Sequence, residues 1–227
     1  MYRLDIIDRH VLVVLDGGRA LLDTGSPFDI GRGRATELLG VRWDPPSLHA
    51  AALDVAQDHL GIAIEWLIGH PTLRRCRLLV DWTARAALVD PGALAGTRVP
   101  IDLALPVPVI DLVVTDVGLA ARAVLDSGAA LSYVPCSAVV DRTPVRTERD
   151  FHPSIGPFDV EVWALPITVG GRAIALEAAV LPPPLDRLLG GGCGGWILGS
   201  DFFRDRAIVL DYADRSVLDA PGGVLAG

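Results

Sequence analysis

The chain has 227 residues, 51% of them hydrophobic and 21% charged, with a net charge of −8. High apolar content without low-complexity blocks excludes a disordered chain, and glycines without a period of three exclude a collagen-like one. All 20 basic residues are scattered Arg and there is no Lys, which argues against nucleic-acid binding, a Walker-type phosphate loop and Schiff-base chemistry. No apolar run approaches the roughly 18–20 residues of a membrane helix, so no membrane partner is expected.

In chain order, short runs rich in β-branched residues predict strands at Val11–Leu15, Ala20–Leu22, Leu78–Val80, Val109–Val114, Ala123–Leu125, Val160–Val169, Ile174–Leu181 and Ala207–Leu210. Turn signals such as Asp16-Gly17-Gly18 and Gly170-Gly171 separate them. Helical periodicity is confined to short pieces, the best at Leu53–Leu60 before Gly61. The segment Pro91–Pro108 carries four prolines and no helical period, and reads as a linker. A mainly β chain with a few short helices is expected.

The chain also repeats itself. Trp66-Leu67-Ile68-Gly69 recurs as Trp196-Ile197-Leu198-Gly199, an offset of 130, and the same offset relates Arg74 to Arg204, Asp81 to Asp211 and Leu88 to Leu218. Leu22-Asp23-Thr24-Gly25 recurs as Leu125-Asp126-Ser127-Gly128, an offset of 103, each with an Arg four residues before its Asp. Two copies of one unit imply two lobes about a pseudo-twofold axis. The division expected is 1–95, a linker over 96–108, and 109–227.

An Asp at a strand end, followed by a small hydroxyl residue and Gly, sets a carboxylate on a tight loop. One such loop is common, but two related by symmetry would bring Asp23 and Asp126 together. Carboxyls about 3 Å apart cannot both ionise, so they share a proton and split their titrations. One can then act as base toward water while the other, protonated, polarises a carbonyl.

Leu21-Leu22-Asp23-Thr24-Gly25-Ser26-Pro27 and Val124-Leu125-Asp126-Ser127-Gly128-Ala129, with Leu67-Ile68-Gly69 and Ile197-Leu198-Gly199-Ser200-Asp201-Phe202-Phe203, carry a resemblance. In this order, twice over, they resemble the active-site loops and the apolar-apolar-Gly segments of the aspartic peptidases, the superfamily of pepsins and retropepsins. The resemblance spans nearly the whole chain. It implies a mainly β, bilobal acid-protease barrel fold of two pseudo-twofold related lobes with short helices.

Residue by residue, it implies Asp23 and Asp126 as the catalytic pair and Thr24 and Ser127 as the hydroxyls that lock the loops. Gly25 and Gly128 would permit the turns, and Ser26 would support Asp23 from outside. Its counterpart Ala129 offers no hydroxyl. The implied activity is that of an aspartic endopeptidase acting on an extended peptide or protein substrate, with neither metal nor cofactor. A single chain already holds both aspartates, so a monomer is expected, with a homodimer as the alternative.

The chain also departs from the family pattern. Asp23 and Gly69 are 46 residues apart, whereas Asp126 and Gly199 are 73 apart. The first half therefore seats a helix where a pepsin has its flap hairpin. The second half has room for a single flap at Ser154, Ile155, Gly156, Pro157 and Phe158, with its tip near Gly156. The missing first-lobe flap keeps open a non-catalytic peptide-binding or scaffolding module that retains the fold.

Other residues read plainly. His10, His49, His59, His70 and His152 lack metal-ligand spacing. Cys76, Cys136 and Cys193 form no disulfide framework and fit a reducing, cytoplasmic setting. Gly190–Gly195 reads as a flexible loop near the cleft and Gly31–Arg34 as a turn. Trp66 and Trp196 read as core residues, and Arg74, Arg204, Asp81 and Asp211 as surface ion pairs of the repeated scaffold.

Overall fold

A computed structural model of the chain describes residues 1–103, 106–189 and 193–226. The first half begins with a meander of β1 (Tyr2–Ile7), β2 (His10–Leu15) and β3 (Gly18–Leu22). Its first turn is the two-residue pair Asp8-Arg9, both at positive φ (46° and 66°), which matches the twist of the flanking strands and leaves Arg9 at the tip. Then come β4 (Ile30–Gly31), the small hairpin β5 (Thr36–Leu38) and β6 (Val41–Trp43), helix α1 (Ala51–Leu60), β7 (Trp66–Ile68), α2 (His70–Leu73), β8 (Arg77–Asp81) and β9 (Ala86–Val89). Helix α1 buries Leu53, Ala56 and Leu60 and stops at Gly61, whose left-handed backbone donates its N–H to Gln57.

The second half runs β10 (Thr97–Asp102), β11 (Val109–Val114), β12 (Leu119–Leu125), β13 (Ser132–Val134), β14 (Arg146–His152), β15 (Gly156–Val169), β16 (Arg172–Val180), α3 (Pro183–Leu189), β17 (Ile197–Leu198), β18 (Arg206–Asp211) and β19 (Ser216–Pro221). It repeats the pairings of the first half. Strand β3 lies parallel to β7 as β12 lies parallel to β17, and β4 crosses β7 through Ile30–Leu67 as β13 crosses β17 through Tyr133–Ile197.

One antiparallel sheet joins the halves, in the order β1–β9–β8–β18–β19–β10. At its centre Leu79 faces Val209, and these residues are 130 positions apart, the offset of the sequence repeat. The local twofold therefore passes between them. Strands β8 and β18 are continuous apolar runs because both of their faces are covered. Leu78, Val80, Ile208 and Leu210 enter the main core, while Leu79, Ala207 and Val209 enter a smaller one on the far side. Trp66 and Trp196 are buried in the main core.

Two features differ from the sequence reading. The proline-rich segment carries a strand, β10, which pairs with β19 and then with β11. Pro100 is tolerated because β10 is the edge of the joining sheet, where a missing N–H leaves no ladder bond unmade. Asp81 does not form the expected surface ion pair, whereas Asp211 does pair, with the partly exposed Arg77. Asp81 is fully buried and accepts the backbone N–H groups of Ala84, Gly223 and Leu225 at 2.9–3.0 Å. Its repeat partner Asp211 accepts the N–H of Asp214 at 2.9 Å and meets Arg77 at 2.8 Å. Each carboxylate thus closes the turn after its central strand.

Gly190–Gly192 of the glycine run lie outside the described residues. Among the described residues, no helix is long and apolar enough to cross a membrane. Asp81→Ala removes the buried acceptor of three part-buried N–H groups and is expected to cost about 2–3 kcal/mol in urea unfolding; a loss below about 1 kcal/mol would contradict this account.

Candidate active site

Asp23 and Asp126 stand at the ends of β3 and β12. The backbone N–H of Asp23 donates to Ile68 O at 3.0 Å, and that of Asp126 to Leu198 O at 2.9 Å. The apolar-apolar-Gly segments thus pass beneath the two loops and hold each aspartate at the same height. Between the loops, the hydroxyls make a reciprocal set of bonds. Thr24 Oγ1 donates to Leu125 O at 2.7 Å and accepts from Ser127 N at 2.9 Å. Ser127 Oγ donates to Leu22 O at 2.8 Å and accepts from Thr24 N at 3.1 Å. Both residues are buried, so each hydroxyl satisfies a donor and an acceptor that water cannot reach.

The glycines are required by contact across the axis. A methyl on Gly128 would lie within 2.8 Å of all three atoms of the Asp23 carboxyl, and one on Gly25 would overlap the Asp126 carboxyl. Asp126 accepts the Gly128 N–H at 2.8 Å. One oxygen of Asp23, Oδ1, is buried without a hydrogen-bond partner. The two carboxyls bond to each other, and burial pushes both above the ordinary carboxylate range. Asp23 is pushed furthest, by burial first and by the Asp126 charge second, with N–H groups of Ser26 and Gly25 opposing. One proton on the pair is the arrangement these forces favour.

The Ser26 hydroxyl does not reach Asp23. It donates to Phe28 O at 2.8 Å and accepts from Phe28 N at 3.2 Å, closing its own loop. Support for Asp23 comes from the Ser26 backbone instead. Ala129 lies in the cleft wall as an apolar residue.

The pair sits in a cavity of about 270 Å³ between the halves. One wall is Leu21, Ile30 and Leu67 with Ala52, Leu53 and Ala56 of α1; the other includes Tyr133, Phe158, Leu181, Leu185 and Ile197. Above them runs the β14–β15 hairpin, in register from Arg146–Val162 to His152–Gly156. Its turn is Pro153–Ile155, with Gly156 at φ 77° opening β15. Of the residues expected for the flap, Phe158 lines the cavity, joined by Asp150, Phe151, His152 and Pro153 from before the turn. Ser154 and Ile155 are exposed, and neither they nor Gly156 and Pro157 face the pair. The first-half hairpin β5–β6 contributes nothing to the cavity, and α1 takes that side.

Sequence reasoning missed Tyr133, Asp150, Phe151 and His10, which all line this cavity. Tyr133 donates its hydroxyl to Asp150 Oδ2, and Asp150 Oδ1 accepts the Phe151 N–H at 2.8 Å. Burial pushes the Tyr133 phenol far up, with the Asp150 charge adding to it. His10 is held below the ordinary imidazole range by burial, partly offset by Asp150. A signal did exist for Tyr133, which follows Ile30 by the same 103 positions that relate the aspartates.

No family model and no curated protein matches the chain. Among solved structures, the aspartic proteinase from Irpex lacteus superposes over 97% of this chain and 96% of its own, with a TM-score of 0.50 and 10% identity. The fold is that of the pepsin-like aspartic proteinases. A protease of simian foamy virus (mac) aligns over 32% of this chain and 76% of its own, at 26% identity and a TM-score of 0.27. At 10% identity the likeness to the fungal enzyme is one of fold, and the site's chemistry rests on its own geometry.

Two outcomes are expected from this site. Thr24→Val leaves Leu125 O and Ser127 N unbonded and should cost about 2–3 kcal/mol in urea unfolding; an unchanged midpoint would refute the cross-loop lock. Carboxyls that titrate higher in the folded state hold their protons more tightly there. They therefore stabilise the fold fully below the ordinary carboxyl range, and this contribution is lost as pH rises through their raised titration. Asp23→Asn should gain stability relative to the parent chain as pH goes from 4 to 8, read as a growing difference in Tm. A constant difference would show that the pair is not strained.

Proposed function

We propose that the protein is an aspartic endopeptidase that hydrolyses peptide bonds of an extended substrate. The observation that carries this reading is the pair of carboxyls bonded to each other on symmetric loops, at the floor of an apolar cleft, with their titration raised by burial. A water between them loses a proton to the ionised carboxyl and attacks the scissile carbonyl. The protonated carboxyl donates to the carbonyl oxygen, which becomes a hydroxyl on the tetrahedral carbon. Collapse re-forms the carbonyl as the amine leaves with a proton from the pair, and the single shared proton is restored.

Apolar walls on both sides of the pair, related by the Ile30–Leu67 and Tyr133–Ile197 crossings, supply a place for a side chain on each side of the bond. The hairpin residues that line the cavity, Asp150–Pro153 and Phe158, offer an extended peptide an edge to lie against. In this reading residues 1–95 and 109–227 are the two lobes and 96–108 their connection. Three free cysteines suit a reducing compartment, and a cytoplasmic monomer forms part of the proposal.

The test is mass-spectrometric cleavage of a diverse peptide pool between pH 3 and 8, with Asp126→Asn and Asp23→Asn in parallel. Cuts are expected on the acidic side, fading as the second carboxyl ionises, and each variant should lose at least about a thousandfold in rate. Cuts that persist in both variants would overturn the reading. Tight binding of peptides without cleavage would instead favour a peptide-binding module built on this fold.

A further inference from the structure

The hairpin above the cleft is tied down at three places, and two of the ties cross to the other half of the chain. Arg9, at the tip of the β1–β2 turn, forms an ion pair with Glu148 of β14, both side chains being about one-fifth exposed. Phe151 of the same strand stacks on His59 of α1 with ring centroids 4.1 Å apart, and lies 5.6 Å from the ring of His10. His59 is itself held by Asp8 at 3.3 Å. The third tie, Tyr133 to Asp150, fastens the hairpin to the cleft wall of its own half. The aromatic ring that closes the roof and the carboxyls on the floor line one cavity.

We propose that this latch makes the site selective for short, unstructured peptides and excludes the loops of folded proteins. The inference rests on the endopeptidase reading and adds to it a limit on substrate. A chain cannot drop into the cleft from above while β14 bridges to α1; it must thread beneath the hairpin. Threading is open to a chain with a free end nearby and closed to a loop anchored at both ends in a folded domain. The cavity, about 270 Å³, falls just below the roughly 300–1,000 Å³ typical of pockets for drug-sized ligands. It has room for the groups flanking one bond, with little to spare for a bulky loop.

The closing experiment uses one cleavable segment in two settings, as a ten-residue peptide and as an exposed loop of a stably folded host protein. Any peptidase cuts the flexible peptide faster, so the decisive quantity is the peptide-to-loop ratio of kcat/KM in latch variants. Arg9 does not line the cavity, and Arg9→Gln should narrow that ratio about fivefold by raising loop cleavage, as expected when a half-buried ion pair is lost from a closed state. Arg9→Lys should keep the parent ratio. Phe151→Ala removes the stack without touching the turn and should narrow the ratio by its own route. A ratio unchanged in both Arg9→Gln and Phe151→Ala, or a parent chain that cuts loop and peptide equally, would overturn the latch. Absence of cleavage of either substrate by every form would overturn the peptidase reading, and the limit on substrate with it.

Discussion

Two carboxyls held in contact inside an apolar cleft repel as soon as both lose their protons, so something must keep them there. In this chain the restraint is the exchange of hydroxyls between the loops, in which Thr24 and Ser127 each bond the backbone on the far side of the axis. Because each bond joins one half of the chain to the other, neither loop is positioned by its own half alone. The joining sheet works to the same end. With Leu79 facing Val209 at its centre, the register of β8 against β18 sets where the two aspartates meet. A slip of one residue in either strand would exchange its side chains between the main core and the smaller one, which are packed around different residues.

The symmetry that builds the floor is not continued in the roof. The first half closes its side of the cleft with α1, whose Ala52, Leu53 and Ala56 are small or buried. The second half spans it with the long β14–β15 hairpin. The asymmetry follows from chain length between the Asp loop and the apolar-apolar-Gly segment, which is 46 residues in one half and 73 in the other. The polar residues of the roof lie where the halves meet, and their charges are answered locally, Arg9 by Glu148 and Asp150 by Tyr133. Pairing of this kind offsets the cost of taking polar groups out of water.

The repeated motifs determined much of this by themselves. Strands at the β-branched runs, the helix ending at Gly61, the paired loops and a second-half hairpin all follow from local chemistry and from the offsets of 103 and 130. These features are legible because each depends on residues near in sequence or on a pattern repeated in it. The edge strand in the proline-rich segment was not, since only its place beside β19 makes Pro100 acceptable there. Asp81 was misread for the same reason: its partners Gly223 and Leu225 lie more than 140 positions away.

The tertiary structure alone decided what surrounds the carboxyls. Nothing in the order of residues brings Phe151 to His59 or Arg9 to Glu148; those contacts exist because the hairpin folds back over a cleft made by both halves. The Ser26 hydroxyl likewise turns to Phe28 rather than Asp23, a choice made by loop geometry. Sequence marked the two carboxyls of the candidate site, since a carboxyl beside its hydroxyl and glycine is a local arrangement. Their raised titration and the roof above them arise from contacts between distant segments, and burial and pairing of that kind exist only once the chain has folded.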